Sequence, residues 1–170
     1  MDMEYFDLVT EDDSRIIGRA GRDECHGNPA LIHRAVRIMV FHPDGRLLLQ
    51  KRSRNKKVQG GKWDAAVGGH VSSGEEIFEA MKRELEEEIG ITLEKGEDLI
   101  PFYAIKVRND FESENITCCR LTHAGPFTMQ EEEVEDLQFF SLPELREKLT
   151  RTPEIFTPLL LRELQEHILL

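Results

Sequence analysis

Four glutamates crowd into five positions, Glu84, Glu86, Glu87 and Glu88, a short way after a glycine-rich loop that holds Gly68, Gly69 and Gly74. Carboxylates that close repel one another unless something positive sits among them, and a hard divalent cation bound through oxygens is the usual answer. At 3.6 residues per turn, Glu84, Glu87 and Glu88 share one helical face while Glu86 points elsewhere. Ile77, Phe78, Met81, Leu85 and Ile89 form an apolar stripe on the same helix, so one side must be buried and the acidic face runs along the rim of a core. The pairs Glu79 with Arg83, Lys82 with Glu86 and Arg83 with Glu87 would by themselves make an ordinary solvated helix. The spacing of the neighbouring residues is what points further.

Gly69 is followed after five residues by Glu75, after seven more by Arg83-Glu84-Leu85, then after one residue by Glu87-Glu88, and after one more by Gly90-Ile91. Position by position, residues 69–91 resemble the Nudix box, and the strand and loop context from about Ile32 to Leu149 is similar to that superfamily. The resemblance implies a Nudix fold, an α+β or α/β/α sandwich with a mixed β-sheet between helices. It also implies Mg²⁺-dependent hydrolysis of a phosphoanhydride bond in a nucleoside diphosphate derivative or nucleotide, with Mn²⁺ as an alternative cation. Glu87 and Glu88 would be direct ligands and the carbonyl of Gly68 a further one. Glu84 would be a ligand or the base that deprotonates water, and Glu133 a late-loop acid in one of those roles. Arg83 and Glu75 would stand behind them, the arginine holding a glutamate in place. The chemistry is coherent without the family: phosphoanhydride hydrolysis needs phosphoryl charge neutralised and a water aimed in line, and carboxylate-bound Mg²⁺ supplies both.

A finer pattern surrounds the box. His26 and His33 lie seven apart, His70 follows the double glycine, and Glu131-Glu-Glu133-Val comes later, with Gln50-Lys-Arg52-Ser-Arg-Asn-Lys56 and Gly61-Lys-Trp63-Asp between. This looks like isopentenyl-diphosphate isomerase. The likeness implies a second metal set of His26, His33, His70, Glu131 and Glu133, with Arg52 and Lys56 holding a diphosphate. The isomerase's cysteine is Gly68 here, whereas the box that is degenerate in that enzyme is intact. The pattern therefore points to an isomerase-like branch of Nudix hydrolases, with the isomerase itself and a noncatalytic nucleotide-binding module as alternatives. Lys51, Arg52, Arg54, Lys56, Lys57 and Lys62 form a basic cluster suited to diphosphate. Trp63, Phe102, Tyr103 and Phe111 could stack on a base or fill the core.

The 170 residues, 39% apolar and 32% charged, read as one domain, with an N-terminal hairpin extension over 1–31 and C-terminal helices over 143–170. A formal charge of -11 argues against binding nucleic acid polymers or anionic membranes. The acidic N-terminal stretch has no basic and apolar leader pattern, and no apolar run approaches the roughly 18 residues of a membrane span. A cytoplasmic protein acting on a small diphosphate or nucleotide is expected, with a homodimer compatible. Cys25, Cys118 and Cys119 are odd in number and without framework spacing, as in a reducing compartment. Strands are expected at Tyr5 to Val9, Arg15 to Arg19, His33 to Phe41, Arg46 to Lys51, Trp63 to Val67, Ile100 to Val107, Asn115 to Thr122 and Leu137 to Phe140. Helices are expected from Gly74 to Ile89, Pro143 to Leu149 and Pro158 to Leu169.

Overall fold

The computed structural model describes residues 3–94 and 98–170. Met1 and Asp2 of the acidic N-terminal stretch lie outside the described residues. Strands β1 (Tyr5–Val9) and β2 (Ile16–Gly21) form the expected N-terminal hairpin, followed by a one-turn helix, α1 (Arg22–Cys25), that no periodicity signalled. Then come β3 (Ile32–Phe41), β4 (Leu47–Arg52), β5 (Trp63–Ala65), β6 (Val67–His70) and the long helix α2 (Ile77–Ile89). The chain closes with β7 (Ile100–Arg108), β8 (Ser113–Thr122), β9 (Val134–Phe140), α3 (Leu142–Arg151) and α4 (Pro158–Glu163), the last continuing into a wider π-turn at Leu164–Ile168.

The sheet is mixed and β3 is its axis. β3 pairs in parallel with β8 over ten residues, from Ile32 opposite Ser113 to Phe41 opposite Thr122, and antiparallel with β6 on its other side. β1 joins it at Leu8 and His33, and β4, itself paired with β5 and β9, joins at Phe41 and Leu47. A strand covered on both faces must be apolar on both, and β3 is from Ile38 to Phe41. Val36, Ile38 and Val40 meet Met81, Leu85 and Ile89 of α2 in one core. Met39 and Phe41 meet Leu145, Leu160 and Leu164 of the C-terminal helices in another. Helix, sheet and helix make the expected α/β/α sandwich, with the sheet continuous through the middle.

Two boundaries differ from the sequence expectation. The strand read as Trp63 to Val67 is two strands broken at Ala66, because Trp63 to Ala65 pair with β4 whereas Val67 to His70 pair with β3. The double glycine therefore lies within a strand rather than in a loop. Helix α2 begins at Ile77 instead of Gly74, since Gly74 adopts φ +80° and Glu75 stays in the turn, its carboxylate accepting the Ser72 N–H at 3.0 Å. The helix stops where expected, at Gly90 with φ 73°, the left-handed conformation that favours glycine. Pro143 and Pro158 open the last two helices, capped by the side chains of Ser141 and Thr157.

Candidate metal and diphosphate site

A cleft of ≈ 610 Å³ opens between residues that flank the N-terminal hairpin (Glu4, Arg22 and His26), the double-glycine strand, α2 and the loop after β4. Adjacent residues of a strand face opposite ways, and the two glycines of β6 use this. A Cβ on Gly69 would overlap the Glu84 carboxylate, and one on Gly68 would come within 3.3 Å of Arg37 Nη1. Helix α2 can thus press its acidic face directly onto backbone. Gly68 N–H donates to Glu88 Oε2 at 2.9 Å, which ties the helix to the strand at the cleft.

Burial and repulsion set the charge state here. Glu88 is pushed up to about 8, first by burial and then by Glu84 and Asp64, against the Gly68 hydrogen bond and Arg37. Glu84 is raised as well, by burial, although Arg83 opposes it. Glu87 is half exposed, 3.3 Å from Arg83 Nη1, at the outer edge of the same face. Arg83 is fully engaged. Its Nε and Nη2 grip Glu75 at 2.9 and 3.0 Å, Nη1 donates to Glu84 at 2.8 Å, and Nη2 also reaches the His70 carbonyl at 3.0 Å. Residues far apart in the box meet as one rigid frame, with Arg83 orienting a carboxylate rather than facing the open cleft.

A second cluster lies in the same cleft. His26, His33, His70 and Glu112 each offer a ligand atom within 4.8 Å of all the others. His26 Nε2 stands 3.2 Å from Glu112, and Glu114 lies 3.2 Å from His70 Nε2 and 3.5 Å from His33 Nε2. His33 is wholly buried; both its nitrogens, and His26 Nε2, have no hydrogen-bond partner among the described residues. Buried imidazoles are normally satisfied, so nitrogens converging with a carboxylate fit a metal, and neutral imidazole is its common ligand. Burial draws His26 down to about 4, which keeps it neutral. Burial pushes Glu114 up, but His33 and His70 outweigh it and hold the carboxyl below its usual range. Phe6 stacks on His33 and His70 at 5.1 and 4.8 Å and fixes their ring planes.

The structure brings the three histidines together but places neither Glu131 nor Glu133 with them. Glu131 is exposed in the turn before β9, and Glu133 lines the cleft elsewhere, ion-paired with Lys56. The acids beside the histidines are Glu112 and Glu114. Their signal was the alternation Glu112-Ser-Glu114 at the start of β8, and the parallel register that sets Glu114 opposite His33. Arg52 and Lys56 both line the cleft; Arg52 holds the Val58 carbonyl at 3.1 and 3.2 Å, while Lys51 and Arg54 pair with Glu135. Trp63, Phe102 and Tyr103 pack against the core under α3 and α4, and Phe111 is half exposed at the cleft. Cys25, Cys118 and Cys119 are buried free thiols, and Cys25 is not among the clustered ligand atoms.

A NUDIX domain model matches residues 31–160. A Nudix hydrolase of Yersinia pestis is 34% identical over 163 residues, covering 92% of this chain and 81% of that protein. An isopentenyl-diphosphate Delta-isomerase of Clavibacter sepedonicus is 30% identical over 160 residues, covering 92% and 84%. The crystal structure of DR0079 from Deinococcus radiodurans superposes with a TM-score of 0.78 at 22% identity, over 96% of this chain and 99% of that one.

Proposed function

Since this chain belongs to the Nudix hydrolase family, we propose that it hydrolyses a phosphoanhydride bond in a nucleoside diphosphate derivative or nucleotide with the help of Mg²⁺, Mn²⁺ being able to replace it. The observation that carries this reading is Glu84 and Glu88 facing the double glycine in one cleft, framed by Arg83 and Glu75. Glu84, Glu87, Glu88 and the Gly68 carbonyl would hold the cation. The cation supplies neutralisation of phosphoryl charge and a more acidic water. Arg83 keeps Glu84 in one rotamer, so that this carboxylate meets either cation or water at a fixed place. Glu133, held by Lys56 at the cleft wall, is the further acid in reach of a base role. Arg52 and Lys56, which line the cleft, grip the diphosphate and offset the -11 of the whole chain.

His26, His33 and His70, with Glu112 and Glu114 in place of the late-loop acids, would hold a second cation. That set and the isomerase relative at 30% identity favour isopentenyl-diphosphate isomerisation as the second reading. It lacks a side chain at Gly68 for proton transfer. One panel separates the readings: nucleoside di- and triphosphates, dinucleotides, sugar nucleotides and coenzyme A, with Mg²⁺ or Mn²⁺ and phosphate detection. We expect metal-dependent release from at least one nucleotide class, abolished by chelator. Turnover that persists in chelator would refute the assignment. Sedimentation of the purified protein decides whether it acts as a homodimer.

A further inference from the structure

Arg37 lies on the face of β3 turned away from α2, only 7% exposed, and belongs to neither metal set. Its guanidinium is anchored on two sides. Nε donates to Glu163 Oε2 at 3.1 Å, and Nη2 donates to Glu163 Oε1 and Asp64 Oδ1, each at 2.6 Å. Both acids are themselves fixed: Asp64 Oδ1 accepts from Ala65 N–H at 2.8 Å and Thr157 Oγ1 at 3.0 Å, and Glu163 accepts from the Tyr103 hydroxyl. The plane of the guanidinium is therefore set from β5, β7 and α4 together.

The third nitrogen is different. Nη1 makes no hydrogen bond among the described residues, and it is the atom a Cβ on Gly68 would meet first, at 3.3 Å. Arg37, Asp64 and Gly68 line the same cleft as Glu84 and Glu88. Burying an ion costs several kcal/mol even when it is paired, and a pure clamp between sheet and helix could be built from apolar side chains at lower cost. An apolar clamp could not hold two N–H donors rigidly at the floor of a cleft. Arginine's planar fork suits phosphate oxygens, and donors fixed in advance need no reorganisation when charge arrives.

We propose that Arg37 is a further phosphate-contacting residue of the cleft, its Nη1 donating to an oxygen of the bound diphosphate beside Gly68 while Asp64 and Glu163 hold the guanidinium in place. This rests on the diphosphate reading above. One cation set against two carboxylates gives the triad no net positive charge, so its contribution is directional, and Arg52, Lys56 and the bound cation provide the attraction. Lysine at 37 would keep the charge but has no planar fork to span both acids and hold a donor rigidly toward a ligand.

Calorimetric titration of inorganic pyrophosphate into the protein with Mg²⁺ tests this, using wild type, Arg37→Lys, Arg37→Met and Leu160→Ala. Leu160 is a fully buried core residue of α4, so its variant loosens the same helix without touching the guanidinium. Both Arg37 variants should bind pyrophosphate at least about tenfold more weakly, with Mg²⁺ binding in its absence unchanged. Leu160→Ala should melt lower yet bind as wild type does. Affinity within about twofold of wild type in the Arg37 variants, or a parallel loss in Leu160→Ala, would make Arg37 a clamp only and overturn the proposal. Should the Arg37 variants fail to fold, Gly68→Ala sets a methyl 3.3 Å from Nη1 with the triad intact; unchanged pyrophosphate affinity there overturns it equally. Wild type that does not bind pyrophosphate in Mg²⁺ would instead sink the diphosphate reading, and this inference with it.

Discussion

Glu88 shows how one residue can serve fold and chemistry at once. Its carboxylate accepts the Gly68 N–H and, buried, is pushed up to about 8. Glu88→Gln keeps an acceptor for that N–H, so the protein should stay folded, but an amide brings no charge to a cation. Turnover should fall about a hundredfold or more, with Glu87→Gln following it; a near wild-type rate for both at saturating Mg²⁺ would refute the ligand assignment. Arg52 and Lys56 pose a different case. Contacts made equally before and during reaction affect KM rather than kcat, so Arg52→Ala and Lys56→Ala should each raise KM about ten- to a hundredfold. Because Arg52 also holds the Val58 carbonyl, Arg52→Lys separates charge from loop support. A collapse of kcat at constant KM would move the pair from grip to chemistry.

Elements carry the next layer. Helix α2 depends on Gly90, whose φ of 73° disfavours any side chain and whose Cβ would overlap Thr128. Gly90→Ala should cost more than about 1 kcal/mol and lower the melting temperature by several degrees, tilting the acidic face with it. Helix α4 depends on Asp64, Arg37 and Glu163. Burial pushes Asp64 up, but Arg37 outweighs it and holds the carboxyl below its ordinary 3.8. A group more acidic folded than unfolded stabilises fully above its unfolded pKa, and that stability is lost as pH falls through the folded value. Melting temperature should therefore drop steeply below about pH 4 in the wild type. Asp64→Asn should be less stable at pH 7, by about 3 to 5 kcal/mol for a broken buried pair, and show a shallower acid limb; parallel limbs would exclude Asp64 as a source. The periodicity of α2 and the strands His33 to Phe41 and Arg46 to Lys51 were legible in the sequence because 3.6 and 2.0 repeats are local. The break at Ala66 was not, since it arises from a change of partner strand. Nor were Glu112 and Glu114, whose place beside His33 and His70 is fixed by a parallel pairing of strands about 80 residues apart, so the acids of the Glu131-Glu-Glu133 run drew the assignment instead.

Could this scaffold be turned to isomerisation by introducing one side chain? The histidine cluster is assembled, the chain is 30% identical to an isomerase over nearly its full length, and the resemblance to that enzyme implies a cysteine there where this chain has Gly68. Moving a proton across a carbon–carbon double bond needs an acid and a base on opposite sides of the carbon skeleton, so Gly68→Cys is the obvious change. The space it would enter is already committed. A Cβ at 68 meets Arg37, and Arg37 is locked by Asp64 on β5 and Glu163 on α4, with Tyr103 on β7 closing the network. The space at position 68 is thus fixed by residues of the sheet and of α4 together. A thiol introduced alone would be turned from the cleft or would displace the guanidinium and loosen the C-terminal helix. We expect neither wild type nor Gly68→Cys to convert labelled isopentenyl diphosphate in deuterated water, while the double change Gly68→Cys with Arg37→Ser relieves the crowding and is the first variant worth assaying for deuterium uptake. Allylic product above the no-enzyme control from the wild type would reverse the ranking of the two activities. Product from Gly68→Cys alone would show that Arg37 does not guard the position.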